Sequence, residues 1–244
     1  MDRKNLSARQ LATRIGVTPK TVERWIANDA LVPHARNATD TCRVLGVERS
    51  MLWPTAVRSA VKTGSDREVV AVYPYRSACP STTWAELISR AREEITFAGF
   101  TNYFLWTQQP QFARTITEKA RSGCRVRFLL GDPDSVTTRQ REAVENNALS
   151  VSARIGVTLA ELAKLADSGV EARFSSAADA PSHIALSVFR FDDEALVTPH
   201  LATGAGHDSP LLHLRRHATE GMFDRFCQHH VEQVWERGRV TPGD

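Results

Sequence analysis

Cysteine is scarce in this chain: four in 244 residues, far apart and without paired spacing (Cys42, Cys79, Cys124, Cys227). That excludes a disulfide framework and a zinc knuckle, and free thiols in a reducing cytoplasm are expected. Long apolar runs are missing too. None approaches the roughly 18 residues that span a bilayer. The N-terminus is polar rather than signal-like, so no membrane is expected as a partner. There is no Walker loop, no Gly-x-Gly-x-x-Gly and no Gly-x-Ser-x-Gly, which leaves nucleotide hydrolysis and serine-hydrolase chemistry without support. Metal-ligand spacing is equally thin. His229 and His230 are neighbours whose side chains diverge by about 100° on a helix. Cys227 and His230 share a helix face at i, i+3, but no second pair accompanies them. No metal and no cofactor are expected.

What is present suits a small module joined to a larger globular domain, with 42% hydrophobic and 24% charged residues. The net charge of +3 hides an asymmetry. Through Asp66 we count 11 Lys+Arg against 6 Asp+Glu, and thereafter 20 against 22. The positive charge belongs to the N-terminal segment, where a polyanion would bind.

That segment reads as two short helices joined by a turn. Ser7 is an N-cap for a helix running to about Ile15, with Leu11, Ala12 and Ile15 on one face. Gly16 follows, where the chain must leave the helix with positive φ. Thr18 caps a second helix and Pro19 takes its first position, where a missing N–H costs nothing. Val22, Trp25 and Ile26 are expected to face inward, leaving Lys20, Thr21, Glu23 and Arg24 outside. Small Ala12 lets the two helices approach closely near Val22. This is the geometry that inserts a second helix into a major groove.

These residues resemble the helix-turn-helix of lambda-repressor-like (XRE-type) regulators, and the likeness extends to about Pro54. Val32-Pro33, a helical 35–45 and Met51-Leu52-Trp53 look like that family's later helices. The resemblance implies double-stranded DNA as partner, with Thr18 at a phosphate, Pro19, Lys20 and Arg24 towards base edges, and Thr21 also among the DNA-binding residues. Lys and Arg suit guanine O6 and N7. Arg9, near the start of the first helix, would reach a neighbouring phosphate. The family carries a further helix before this pair, and only Met1–Leu6 precede Ser7. Either a stub replaces that helix or the start codon is assigned downstream of the true one.

Residues 55–68 lose apolar periodicity and contain Thr63-Gly64-Ser65-Asp66, so we read a linker between a helix-turn-helix domain, 1–54, and a second domain, 69–240. In the second domain strands are expected at 69–73, 95–100, 124–130, 170–174, 186–191, 195–198 and 211–215. Helices are expected at 83–94 and 112–121, as two segments within 137–168, and at 219–237. Strands alternating with helices of this length indicate an α/β fold with a mixed sheet. The fold class is therefore α + α/β: a small all-α domain followed by a mixed-sheet α/β domain.

A second resemblance spreads over this domain. Phe112 through Ala120-Arg121-Ser122-Gly123-Cys124-Arg125-Val126-Arg127-Phe128-Leu129-Leu130 looks like the helix and strand that open a phospholipase D-like half-domain. Ser187 to Val197 is similar to the strand and turn carrying that family's His-x-Lys-x-x-x-x-Asp. Setting the motif's Asp on Asp192 places Ala185 at the His position and Ser187 at the Lys position. Ala cannot attack phosphorus and Ser carries no charge, so the resemblance implies the architecture without catalysis. His183 is expected two residues upstream on the same strand face, with no Lys following it.

Gly131 to Ser135 follows an expected central strand at the end where α/β proteins place ligands. Asp132, Asp134 and Ser135, with Arg190 and Asp192, are candidate ligand contacts. The same loop reads as a turn into a helix capped by Asp134 or Ser135. His213, Arg215, Arg216 and His217 are read as surface charge at a strand end. Tyr73, Tyr75, Phe100, Tyr103, Phe104 and Trp106 are read mostly as core, with 103–106 also able to line a pocket. The expectation is a cytoplasmic DNA-binding transcriptional regulator and not an enzyme, dimeric through its second domain, with a small-molecule effector possible. Two rivals are an active phosphodiesterase or nuclease targeted to DNA, and an antitoxin-like protein-interaction adaptor.

Overall fold

The computed structural model describes residues 6–28, 31–47, 49–53, 65–202, 204–217 and 219–241. The chain divides into two compact units, Met1–Arg67 and Glu68–Asp244.

The first unit holds α1 (Ala8–Ile15), α2 (Pro19–Ala27), α3 (Ala35–Leu45) and the short α4 (Arg49–Leu52). The caps of α1 follow from its flanking residues. Ser7 accepts from the Gln10 amide while the Gln10 side chain accepts from the Ser7 amide, a reciprocal capping box. Gly16 leaves the helix at φ 72°, in the left-handed region. Thr18 caps α2 by accepting from the Thr21 amide, with Pro19 at the first position. Leu11, Ala12, Val22 and Leu45 form the core, with Ile15, Trp25 and Leu52 packed against it. Ile26 does not join them and is 56% exposed, against expectation. The buried stripe of α2 turns the other way from Val22, towards half-buried Thr21 and Trp25. A helix this short needs only one side of Val22 covered, and the bulkier Trp25 takes it.

The second unit is one mixed sheet of eight strands: β1 (Val69–Tyr73), β2 (Glu94–Ala98), β3 (Arg125–Leu130), β4 (Glu171–Phe174), β5 (Leu186–Phe191), β6 (Glu194–Pro199), β7 (Leu211–Arg215) and β8 (Arg239–Val240). Their order is β1-β7-β6-β5-β2-β3-β4-β8. Only β2-β3 and β3-β4 pair in parallel, while β5 runs antiparallel to β2. Both faces are covered, which is why β2 and β3 read as nearly continuous apolar runs. On one face Phe97, Phe128 and Phe189 pack beneath α5 (Ser81–Arg90), α6 (Tyr103–Gln108), α7 (Phe112–Arg121) and α9 (Val151–Ala163). Before α9 lies α8 (Val136–Glu145), and α10 (Ala180–Ala185) leads directly into β5. The other face is covered by the last helix, α11. It is α-helical over Met222–Asp224 and Glu232–Arg237 and π-wound through Arg225–Val231. Phe223, Cys227, Val231 and Trp235 recur every four residues and are all buried. On an α-helix such a stripe drifts about 40° per repeat. The wider π turn keeps it facing the sheet.

Several expected boundaries move. The helix expected over 83–94 stops at Arg90, because the Asp192 carboxylate takes the amides of Arg92, Glu93 and Glu94 at 2.7, 2.9 and 2.8 Å. Helices α6 and α10 and strand β8 were not expected. Most of the expected linker, 55–64, lies outside the described residues. Its last residue, Glu68, is buried in the second unit and accepts the amides of His217 and Phe223. A Cβ on Gly221 would come within 2.2 Å of that carboxylate, so a larger residue there would have to displace it. Among the described residues no helix is long and apolar enough to cross a membrane.

Candidate functional site

In the first unit, Arg9, Thr18, Pro19, Lys20 and Arg24 are exposed. Lys20 and Arg24 stand one turn apart on the outer side of α2, opposite buried Val22. Among the described residues the cationic ends of Arg9, Lys20 and Arg24 make no hydrogen bond or ion pair. By contrast Arg43 is paired with Asp40 at 2.9 Å. Thr21 differs from its expected outward position. It is half-buried, and its hydroxyl lies 2.8 Å from that of Thr18. The result is a short helix with two cations on its outer side, Lys20 in the first turn and Arg24 in the last, neither paired with a carboxylate among the described residues. Such a face meets phosphates or the acceptor edge of guanine.

In the second unit a cavity of about 40 Å³ opens where β2 ends and β5 begins, beside the switch from parallel to antiparallel pairing. This is where open α/β sheets bind ligands. Arg76, Asn102, Phe104, Arg141, Glu145, Ser187 and His200 are among its walls. Ser187 Oγ lies 3.0 Å from Nε2 of His200, which follows directly on the end of the adjacent strand β6. This is not the pair of an acyl-transfer triad. There a carboxylate stabilises the imidazolium. Here burial, then Arg76 and Arg141, push the His200 pKa down to about 4, only partly opposed by Glu145 and by a bond to the Ile184 backbone. The ring is held neutral and weakly basic.

His183 is not on the strand. It sits in α10, fully buried, with both ring nitrogens unpartnered. Burial, with His230 and His200 nearby, lowers its pKa to about 3. Ala185 is the last residue of the same helix.

No protein-family model matches the chain, and no curated protein sequence matches it. Several solved structures are similar in shape, two of them as follows. One is TrmBL2, an archaeal chromatin protein whose structure shows a novel mode of DNA binding. It is 14% identical, covering 97% of this chain and 88% of that one, with a TM-score of 0.44. The other is Nuc from Salmonella typhimurium, a phospholipase D family member. It is 15% identical, covering 70% of this chain and 97% of that one, with a TM-score of 0.41. Neither likeness assigns a role to a residue of this chain.

The five candidate ligand contacts do not converge. Asp132, Asp134 and Ser135 follow the C-terminal end of β3 and form the turn that enters α8. Asp132 accepts from the Asp134 amide at 2.9 Å and from Arg239 at 2.8 Å, and Ser135 caps the Thr138 amide. Arg190 and Asp192 lie at the opposite end of the sheet, beside the start of β2. Arg190 pairs with Glu94 at 2.8 Å. Burial works against ionisation of Asp192, but the amides of Glu94, Arg92 and Glu93 outweigh it and hold the carboxyl below its ordinary range. The side chains of Asp132, Ser135, Arg190 and Asp192 are thus occupied by the fold itself. His213, read as surface charge, is buried and 2.7 Å from Glu194. Cys227 is buried too, its thiol pushed up to about 12 chiefly by desolvation. In the π turn it no longer shares a face with His230.

Sequence reasoning missed Arg76, Arg141 and His200. They come from a turn, a helix and a strand end far apart in the chain, and no local spacing links them.

Proposed function

We propose that this chain is a cytoplasmic, sequence-specific transcriptional regulator that binds duplex DNA through a lambda-repressor-like helix-turn-helix. Its second unit, of phospholipase D-like architecture, is non-catalytic and serves effector sensing, homodimerisation or both. One observation carries the reading: a capped helix pair whose second helix bears Lys20 and Arg24 one turn apart on its exposed side, unpaired among the described residues. Lack of catalysis is supported by Ala185 and Ser187 standing where the motif needs an imidazole and an ammonium. A dimer is supported by arithmetic, since one small module makes few base contacts and two would reach half-sites about one helical turn apart.

Genome-wide mapping of bound DNA, with anisotropy titrations of the full chain on the recovered fragments, tests this. The expected result is a palindromic site with affinity that falls steeply as salt rises. No salt-sensitive affinity for any duplex, including fragments flanking its own gene, would overturn it.

A further inference from the structure

We propose that β1 is a self-association edge. It pairs antiparallel with β1 of a second copy of this chain, about a two-fold axis beside Val72, and joins two sheets into one. Three observations lead there. The first is an open edge. Among the described residues β1 is the outermost strand on its side of the sheet and is paired with β7 alone. A register shift between Val69 and Ala71 bends its start, while Ala71, Val72 and Tyr73 keep a regular register. Val69 packs into the core on one face of the sheet and Tyr73 into the core on the other, so the strand is held in place. Its outer row of backbone donors and acceptors is the pattern that templates a further strand.

The second is apolar surface at the same edge. Val70, Val72, Tyr75 and Leu201 are 46%, 61%, 50% and 52% exposed. Ser209 links the last two: its carbonyl accepts the Arg76 amide at 2.7 Å and its hydroxyl accepts the Leu201 amide at 3.1 Å. Leu201 therefore lies beside the turn that continues β1. Scattered exposed apolar side chains are ordinary, whereas a cluster along an open edge marks a contact surface.

The third is charge, and it favours a second copy as the occupant. Next to a two-fold axis a side chain meets its own copy, so a charge there would repel itself. From Val69 to Tyr75 the chain carries no charged residue. The opposite edge is built differently. There β8 is two residues long and carries Arg239, 61% exposed. A short, charged strand is a standard protection against edge pairing, and β1 lacks both features. Pairing about Val72 would also set the two copies of Val69 about 20 Å apart, at about 3.4 Å per residue. Both tethers to the DNA-binding units would then start beside the axis, as a protein reading two half-sites requires.

This deepens the homodimerisation proposed above and rests on that reading; DNA binding is read separately. The test is sedimentation equilibrium of the full chain at micromolar concentration without DNA. A mass of twice 27.1 kDa is expected. Val72→Lys sets two ammonium groups against each other and should weaken self-association by roughly a hundredfold. Val72→Glu should do the same. An equimolar mixture of the two variants should recover the dimer, which misfolded chains would not do. Val157→Lys, on the exposed side of α9, should leave the mass unchanged. Hydrogen exchange of the β1 amides should be slower in the unaltered chain than in Val72→Lys. A dimer that survives Val72→Lys, or a mixture that stays monomeric, overturns this interface and leaves homodimerisation through another surface standing. A chain that is monomeric at every concentration overturns both.

Discussion

Ser187 Oγ and His200 Nε2 stand 3.0 Å apart in the wall of the polar cavity, the serine on β5 and the histidine just past the end of β6. The contact consumes the hydroxyl at the position where a phospholipase D-like motif needs a lysine. It also engages an imidazole that burial, then Arg76 and Arg141, keep neutral. We therefore expect no turnover of model phosphodiesters by the purified chain, and no effect of Ala185→His on DNA affinity. Rapid diester cleavage abolished by replacing buried His183 would restore the enzyme reading.

If α2 is the recognition helix, Lys20 and Arg24 should make separable contributions to a DNA complex. Arg24→Ala should cost roughly 1–3 kcal/mol on a specific site and relax base preference at one position. Lys20→Ala, if its partner is a phosphate, should weaken all sequences alike and reduce the salt slope by about one. Anisotropy titrations at several salt concentrations read both effects. Unchanged binding by the double variant would mean that α2 is not the recognition helix.

Acid should destabilise the second unit in a defined window. His183 and His200 are neutral in the folded chain, with pKa values of about 3 and about 4. Unfolded histidine titrates near 6.5. Above that pH neither state binds the proton and stability is complete. As pH falls below it, the unfolded chain takes protons the native state refuses. Each histidine then removes about 1.4 kcal/mol per pH unit until its folded pKa is reached. His183→Phe should flatten this limb by one proton. It should also add about 1 kcal/mol at pH 7, because both ring nitrogens are buried without partners. Denaturant melts at pH 7, 6 and 5 measure both; a steeper limb in the variant would contradict the assignment.

Arg127 is the most exposed to a charge-removal experiment in thermodynamic terms, although it is almost completely buried. It bonds Glu94 and Glu232, and its guanidinium lies 4.9 Å from the Trp235 ring centroid. Arg127→Met strands Glu232 and strips a partner from Glu94, so a loss of about 3–5 kcal/mol is expected. Removing the stranded charge as well, with Glu232→Gln, should recover part of it. Urea titrations of the full chain decide, and a loss under about 1 kcal/mol would show the pair to be dispensable.

Much of the first unit was readable from neighbours in sequence. Ser7, Gly16, Thr18 and Pro19 act within three or four residues of themselves, so their roles survive without tertiary information. Ile26 was misread because the residue spacing admits two buried stripes through Val22. Which one is covered depends on what packs against it. In the second unit the apolar strands and most helices were legible, including β1, β5, β7 and α7 with their limits. The end of α5 was not, since its signal is a carboxylate a hundred positions away. The π turn of α11 was not read from the sequence, where the segment is expected as an ordinary helix over 219–237.

The chain's local chemistry dictated where helices start, which strands are buried and where the positive charge lies, because caps, periodicity and charge act over one or two turns. The fold alone decided that Asp192 holds the start of β2, that Glu68 belongs to the second unit, and that Arg76, Ser187 and His200 share a wall. Those meetings join residues tens to more than a hundred positions apart. Only sheet order and helix packing bring such groups within hydrogen-bond reach.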